Sequence, residues 1–156
     1  MQKSLLIEPE QCTGCLQCEL ACSYAKEGVF NPAKSRIKVF TFHELGRFSP
    51  YTCTQCAEAW CLQACPVEAI VDNVRLGAKE VLEETCVGCK VCTIACPFGT
   101  INYNPDSGKV IKCDLCGGDP ACAKTCPTDA ITYVDAGATG LSRMRKFAEQ
   151  SIQHLT

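Results

Sequence analysis

Sixteen cysteines in a chain of 156 residues fall into four runs of four, with none left over. The runs are Cys12, Cys15, Cys18, Cys22; Cys53, Cys56, Cys61, Cys65; Cys86, Cys89, Cys92, Cys96; and Cys113, Cys116, Cys122, Cys126. The first and third have the spacing C-x2-C-x2-C-x3-C, and the other two keep the outer steps and lengthen the middle one. A proline follows the fourth cysteine in the last three runs (Pro66, Pro97, Pro127). Three thiolates on one tight loop wrap a corner of an iron–sulfur cubane and reach three irons, leaving the fourth iron to a cysteine from elsewhere. The chemistry open to such residues is electron transfer. No residue reads as a catalytic acid, base or nucleophile.

Other uses of cysteine fit less well. A disulfide framework needs an oxidising compartment, and nothing in the sequence directs export. Zinc is the better rival, because C-x2-C pairs form zinc knuckles. Zinc sites usually join two such pairs, whereas each run here adds a third and fourth cysteine on iron–sulfur steps. A radical enzyme using S-adenosylmethionine would need a C-x3-C-x2-C run, which is absent. His43 and His154 read as exposed or structural, since the four runs already complete their ligand sets. Trp60, inside the lengthened second run, reads as packing over a cluster rather than as an electron relay.

Composition agrees with a core that is partly inorganic. The apolar share is 47% with cysteine counted; without it about 37% remains, below the usual share for a globular domain. Cluster assembly would supply the missing folding free energy, so the apo-chain is expected to be unfolded or molten. The formal charge is −2. Sixteen thiolates around four oxidised cores bring it to about −10. No basic block offsets that charge, which argues against a nucleic-acid partner and suits a partner with basic patches. The opening stretch to Glu8 has only three consecutive apolar residues and no twin arginine, and no apolar run approaches a membrane span. A reducing cytoplasm is the expected location.

The elements that must position these cysteines repeat. Cys65-Pro66-Val67-Glu68-Ala69-Ile70, Cys96-Pro97-Phe98-Gly99-Thr100-Ile101 and Cys126-Pro127-Thr128-Asp129-Ala130-Ile131 place an isoleucine at one offset. Each reads as a ligand loop, a helical turn carrying the fourth cysteine, then a strand. Strands are expected at Ile70–Val74, Ile101–Tyr103 and Ile131–Val134, with partners near Glu80–Glu83 and Lys109–Lys112. Asn104-Pro105-Asp106-Ser107-Gly108 is a hairpin turn. Gly14 and Gly88 sit between the first two cysteines of their runs, where the backbone must come close to sulfur. The first run departs from the pattern: Ser23 replaces proline, and Tyr24 to Pro50 is an insertion with a strand at Arg36–Phe42. In the tail, Leu141, Met144, Phe147, Ala148, Ile152 and Leu155 fall mostly on one helical face, opposite Arg143, Arg145 and Lys146. That helix reads equally as a cap or as a docking element for a catalytic subunit or a second copy.

With these motifs in hand, residues 4 to 135 resemble the small four-cluster ferredoxin-like subunits of molybdenum and tungsten oxidoreductases and related hydrogenases. The order of the four runs matches, not only their number. The insert Gly117-Gly118-Asp119-Pro120-Ala121 looks most like the electron-transfer subunit of tungsten-dependent aldehyde oxidoreductases. The resemblance implies an α+β fold of two bacterial-ferredoxin-like two-cluster modules, one inserted in the other, plus a C-terminal helix. The outer module would comprise 1–47 and 105–137, the inner 48–104, and the docking helix 138–156.

It also implies four [4Fe–4S] clusters with nested ligation. Cys12, Cys15 and Cys18 would share a cluster with Cys126, and Cys113, Cys116 and Cys122 would take Cys22. Cys53, Cys56 and Cys61 would take Cys96, and Cys86, Cys89 and Cys92 would take Cys65. Sequential pairing of the first run with the second is the alternative. The implied role is a non-catalytic relay between a large tungsten- or molybdenum-cofactor catalytic subunit and a distant acceptor. A flavin-containing or other redox subunit and self-association stay open as further partners. A hydrogenase or carbon monoxide dehydrogenase partner, a free polyferredoxin and a zinc-bound scaffold are the competing readings.

Overall fold

The computed structural model describes residues 3–137 together with 140–141, 144–145 and 148–149. It is a small mixed helix and strand structure in which every sheet among the described residues is a two-stranded antiparallel pair. Strand β1 (Lys3–Ile7) pairs with β8 (Ile131–Asp135), with Ile7 opposite Ile131. The remaining pairs are hairpins: β2 (Lys38–Phe42) with β3 (Arg47–Tyr51), β4 (Ile70–Asn73) with β5 (Ala78–Val81), and β6 (Asn102–Asn104) with β7 (Lys109–Ile111).

Four α-helices carry cysteines: α1 (Gln17–Glu27), α2 (Trp60–Gln63), α3 (Val91–Ala95) and α4 (Ala121–Thr125). The sequence reading put the fourth cysteine of each run on its helix. Instead α2, α3 and α4 carry the third, and the fourth lies at or just past the helix end. The proline that follows each fourth cysteine has no N–H to extend a helix, so the chain turns there. Beyond it Glu68, Gly99 and Asp129 take the same left-handed conformation at the same offset.

The first run shows what happens without the proline. Helix α1 continues through Cys22 and Ser23 to Glu27 and stops at Gly28, whose φ of +69° closes it. Ser23 is fully buried, and its hydroxyl donates to the Leu20 carbonyl and accepts from the Asn31 N–H.

The hairpin turn at Asn104–Gly108 is closed by the Gly108 N–H on the Asn104 carbonyl at 2.9 Å, and the Asn104 side chain accepts from Asp106. Two glycines are required by their neighbours. Gly14 (φ +71°) would place a Cβ 2.4 Å from the Phe48 ring, and Gly88 (φ +67°) would place one 2.1 Å from the Gly108 carbonyl oxygen. The crowding at these glycines therefore includes protein groups from distant segments.

Among the described residues, two clusters of buried residues are built around cysteine. One contains Ala69, Ile70, Cys86, Cys92, Ile101 and Val110, with Cys61, Cys65 and Cys96 packed against it. The other contains Cys18, Cys22, Ile37, Cys122 and Ile131, with Cys126 against it. The second and third runs thus share one core, and the first and fourth share the other. In the tail the described residues are helical, with Arg145 donating to Glu149 at 3.1 Å, and Leu141 and Met144 lie exposed. The other residues of the expected docking helix lie outside the described residues.

Candidate iron–sulfur sites

Four cavities each bring four cysteines together. Cys12, Cys15, Cys18 and Cys126 line one. Cys22, Cys113, Cys116 and Cys122 line the next. Cys53, Cys56, Cys61 and Cys96 line the third, and Cys65, Cys86, Cys89 and Cys92 the fourth. Every cysteine is used once, and each cavity takes three from one run and one from another. The remaining walls are mainly apolar, including Val39, Pro50 and Ile131 at the first cavity and Val67, Ile70 and Val110 at the fourth.

The donor set suits a cluster better than a lone ion. Among the described residues no group of three or more His, Cys, Asp or Glu side chains converges on a point where one metal ion would sit. The thiols surround a space instead. Burial pushes the Cys18 thiol up to about 12 and those of Cys92 and Cys113 up to about 11, with neighbouring thiolates adding to the effect. Cys122 is raised as well, by burial and then by Cys113 and Cys22. Thiols so placed give up their protons only to a strongly positive occupant, which an iron–sulfur core supplies.

The fourth cysteine of a run has a different environment. Burial raises the Cys96 thiol, but the Thr100 hydroxyl and the N–H groups of Thr100, Phe98 and Gly99 outweigh it, and the net shift is downward. At Cys126 the N–H groups of Thr128, Ile131 and Ala130 do the same. The Ala69 N–H reaches the Cys65 sulfur at 3.2 Å. These contacts follow from the left-handed residue after each Cys-Pro, which turns the next N–H groups back toward sulfur. Cys22 lacks that loop, and its sulfur receives the Arg36 N–H from the insertion at 3.3 Å. Hydrogen bonds of this kind tune cluster potential.

The other residues considered from sequence take minor places. His43 is exposed in the turn between β2 and β3, and His154 lies outside the described residues. Trp60 lines the Cys53 cavity with about half its surface exposed. Sequence reading missed Gln55, Lys79 and Lys112, which join the second and fourth runs. The Gln55 amide donates to the Cys113 carbonyl at 2.7 Å, and its oxygen accepts from the Lys79 N–H at 2.8 Å. The available signal was position: Gln55 stands where Gly14 and Gly88 stand in their runs.

Comparison with known proteins now bears on this geometry. The 4Fe-4S dicluster domain family matches residues 45–136, and a 4Fe-4S binding domain matches residues 9–25. The chain belongs to the 4Fe-4S dicluster domain family. The cofactors that go with this family are [4Fe–4S] clusters.

Among this family's relatives, the polyferredoxin-like subunit of an aliphatic sulfonate oxidoreductase from Pyrococcus furiosus is 42% identical, over 78% of this chain and 70% of that one. The iron–sulfur subunit of formate dehydrogenase-O from Escherichia coli is 34% identical, over 82% of this chain and 51% of that subunit. Two longer relatives are covered over only 25% and 30% of their length. A chain of the BamBC active site complex of benzoyl coenzyme A reductase superposes with a TM-score of 0.48 at 26% identity, covering 85% of this chain and 75% of that one. Among the described residues no helix is long and apolar enough to cross a membrane.

Proposed function

We propose that the protein is a one-electron relay carrying four [4Fe–4S] clusters in a line. The observation that carries this reading is the lining of the four cavities, each by three cysteines of one run and one of its partner run. The ligand sets are then Cys12, Cys15, Cys18 and Cys126; Cys22, Cys113, Cys116 and Cys122; Cys53, Cys56, Cys61 and Cys96; and Cys65, Cys86, Cys89 and Cys92. The modules they define are nested, the second and third runs forming an inner pair within an outer pair made by the first and fourth. The two cysteine-centred cores support that division.

When bound, a [4Fe–4S] cluster supplies one-electron redox chemistry. The chain supplies the path. Cys18 and Cys22 share α1, which connects the first two sites, and Cys61 and Cys65 lie on and just beyond α2, which connects the last two. Between the halves, Cys53 and Cys113 are close enough for their charges to repel. Apolar walls exclude water, and the sulfur-directed N–H groups stabilise added negative charge.

The proposed setting is a reducing cytoplasm, as an electron-transfer subunit of an oxidoreductase complex. The two relatives named as subunits of oxidoreductases support the subunit role. The catalytic partner proposed is a tungsten- or molybdenum-cofactor subunit of the aldehyde-oxidoreductase type, with chemistry at the substrate belonging to that partner. Anaerobic purification from the native host, followed by metal analysis, tests both levels. About sixteen irons per chain with tungsten or molybdenum on a large second polypeptide is the expected result. Iron at that level with nickel instead would replace the partner by a hydrogenase or carbon monoxide dehydrogenase. Zinc in place of iron would overturn the relay itself.

A further inference from the structure

Lysine 112 is buried to 5% exposure at the junction of the two halves, and among the described residues no carboxylate pairs with it. Its ammonium group donates to the Cys113 carbonyl at 2.8 Å, to the Lys79 carbonyl, and to the Gln55 side-chain oxygen at 3.4 Å. All three acceptors are neutral. Lys79, also buried, differs in having Asp72 at 2.9 Å as its counter-charge. A buried cation held only by carbonyl dipoles is costly unless an anion is near. Lys112 stands beside two cavities: its ammonium bonds the carbonyl of Lys79, which lines the Cys53 cavity, and of Cys113, which lines the Cys22 cavity, and its charge acts on Cys61 of the one and Cys113 of the other.

The local backbone is arranged around this ammonium. Gln55 and Leu115 occupy the positions that Gly14 and Gly88 hold in the other two runs, and both are left-handed, at φ +50° and +57°. A non-glycine residue in that conformation is strained and usually has a use. The use of Gln55 is visible: its amide binds the Cys113 carbonyl while its oxygen meets Lys79 and Lys112. The loop of the second run therefore holds the start of the fourth, with the Lys112 charge enclosed between them.

We propose that Lys112 raises the reduction potentials of the two clusters facing each other across this junction, and so eases electron passage between the halves. This rests on the ligand sets proposed above. Each reduction adds one electron to a cluster whose thiolates already repel it, and a fixed cation beside both sites offsets that repulsion on both sides. The two end clusters, beyond α1 and α2, lie outside its direct contacts.

The test is an anaerobic potentiometric titration, followed by EPR, of the iron-replete protein and three variants. Lys112→Gln keeps a donor for the carbonyls and removes the charge. Lys112→Arg keeps the charge. Gln55→Glu leaves Lys112 in place and puts a negative charge beside it. In Lys112→Gln and Gln55→Glu two of the four midpoint potentials should fall by about 59 mV or more, a tenfold change in a one-electron equilibrium, while the other two stay. Lys112→Arg should match the wild type.

If Lys112→Gln fails to hold iron, Lys112→Met, which keeps the stem and removes the charge, takes its place, and the same two potentials should fall. Four unshifted potentials in an iron-replete charge variant would overturn the proposal and leave the relay intact. Equal shifts in all four would assign Lys112 a structural role instead. A wild-type protein with fewer than four clusters would overturn the ligand sets themselves.

Discussion

A Cβ atom on Gly88 would stand 2.1 Å from the carbonyl oxygen of Gly108. The ligand loop of the third run therefore rests directly on the turn of the β6–β7 hairpin, with no room for a side chain between them. The obstacle is backbone, which cannot swing aside as a side chain can. Gly88→Ala adds the strain of a left-handed alanine to this clash, and the expected cost is about 2 kcal/mol or more. Thermal bleaching of the visible cluster absorption should move to lower temperature. Gly14→Ala meets the Phe48 ring instead, so Phe48→Ala should recover part of its loss, a coupling measurable by a double-mutant cycle.

The cysteine sets make a prediction about which substitutions resemble each other. Cys18→Ser and Cys126→Ser should disturb the same EPR signal, and Cys22→Ser should disturb the one that Cys116→Ser does. Cys56→Ser and Cys96→Ser should likewise form a pair. Each damages one cluster, so iron falls by roughly four per chain. If Cys65→Ser instead matched Cys18→Ser, the runs would pair sequentially.

At Cys96 the Thr100 hydroxyl lies 3.5 Å from sulfur. A donor there stabilises the more negative, reduced state, so removing it should make reduction harder. Thr100→Val is expected to lower one midpoint potential by less than about 59 mV, under a decade in the one-electron equilibrium. Potentiometry checks this, with iron content unchanged. A rise in potential would show that the hydroxyl does not donate to sulfur.

Arg36 is 7% exposed and pairs with Glu27 at 2.6 Å, while its own N–H reaches the Cys22 sulfur. Glu27→Ala would leave the guanidinium buried, with the Lys34 carbonyl at 3.0 Å as the side chain's remaining partner among the described residues. The expected loss is about 1–3 kcal/mol, below the range for a fully buried pair because Glu27 is partly solvated. Chemical denaturation of the anaerobic holoprotein gives the value. Glu27→Gln should lose less, since it keeps an acceptor.

How much of this was readable depended on how local the signal was. The strands after each Cys-Pro and the Asn104–Gly108 turn stand within two residues of where β-branched residues and turn chemistry put them. Strand β1 escaped notice because its partner β8 lies at the far end of the chain, and a short Leu-Leu-Ile stretch does not announce a long-range pair. Strand β3 was hidden by Pro50. That residue is tolerated because β3 pairs on one side only, with β2. The continuation of α1 was signalled by Gly28 and by the missing proline after Cys22, but cysteine spacing dominated the reading there. The sixteen cysteines were plain from sequence. Gln55 and Lys112 were not, because an isolated glutamine and a lysine at a strand end look like surface residues until the fold encloses them.

The antiparallel pairing of β1 with β8 also sets an order of assembly. Synthesis proceeds at about 5–20 residues per second, and more than a hundred residues separate Ile7 from its partner Ile131. The central hairpins and the core they enclose are complete once Ile111 has emerged, while Leu5, Cys18 and Cys22 still wait for Cys122 and Ile131. The first cysteines to be made are therefore among the last to be enclosed. Throughout that interval they stand as open thiols, exposed to oxidants and stray metal ions, and their protection falls to the cell.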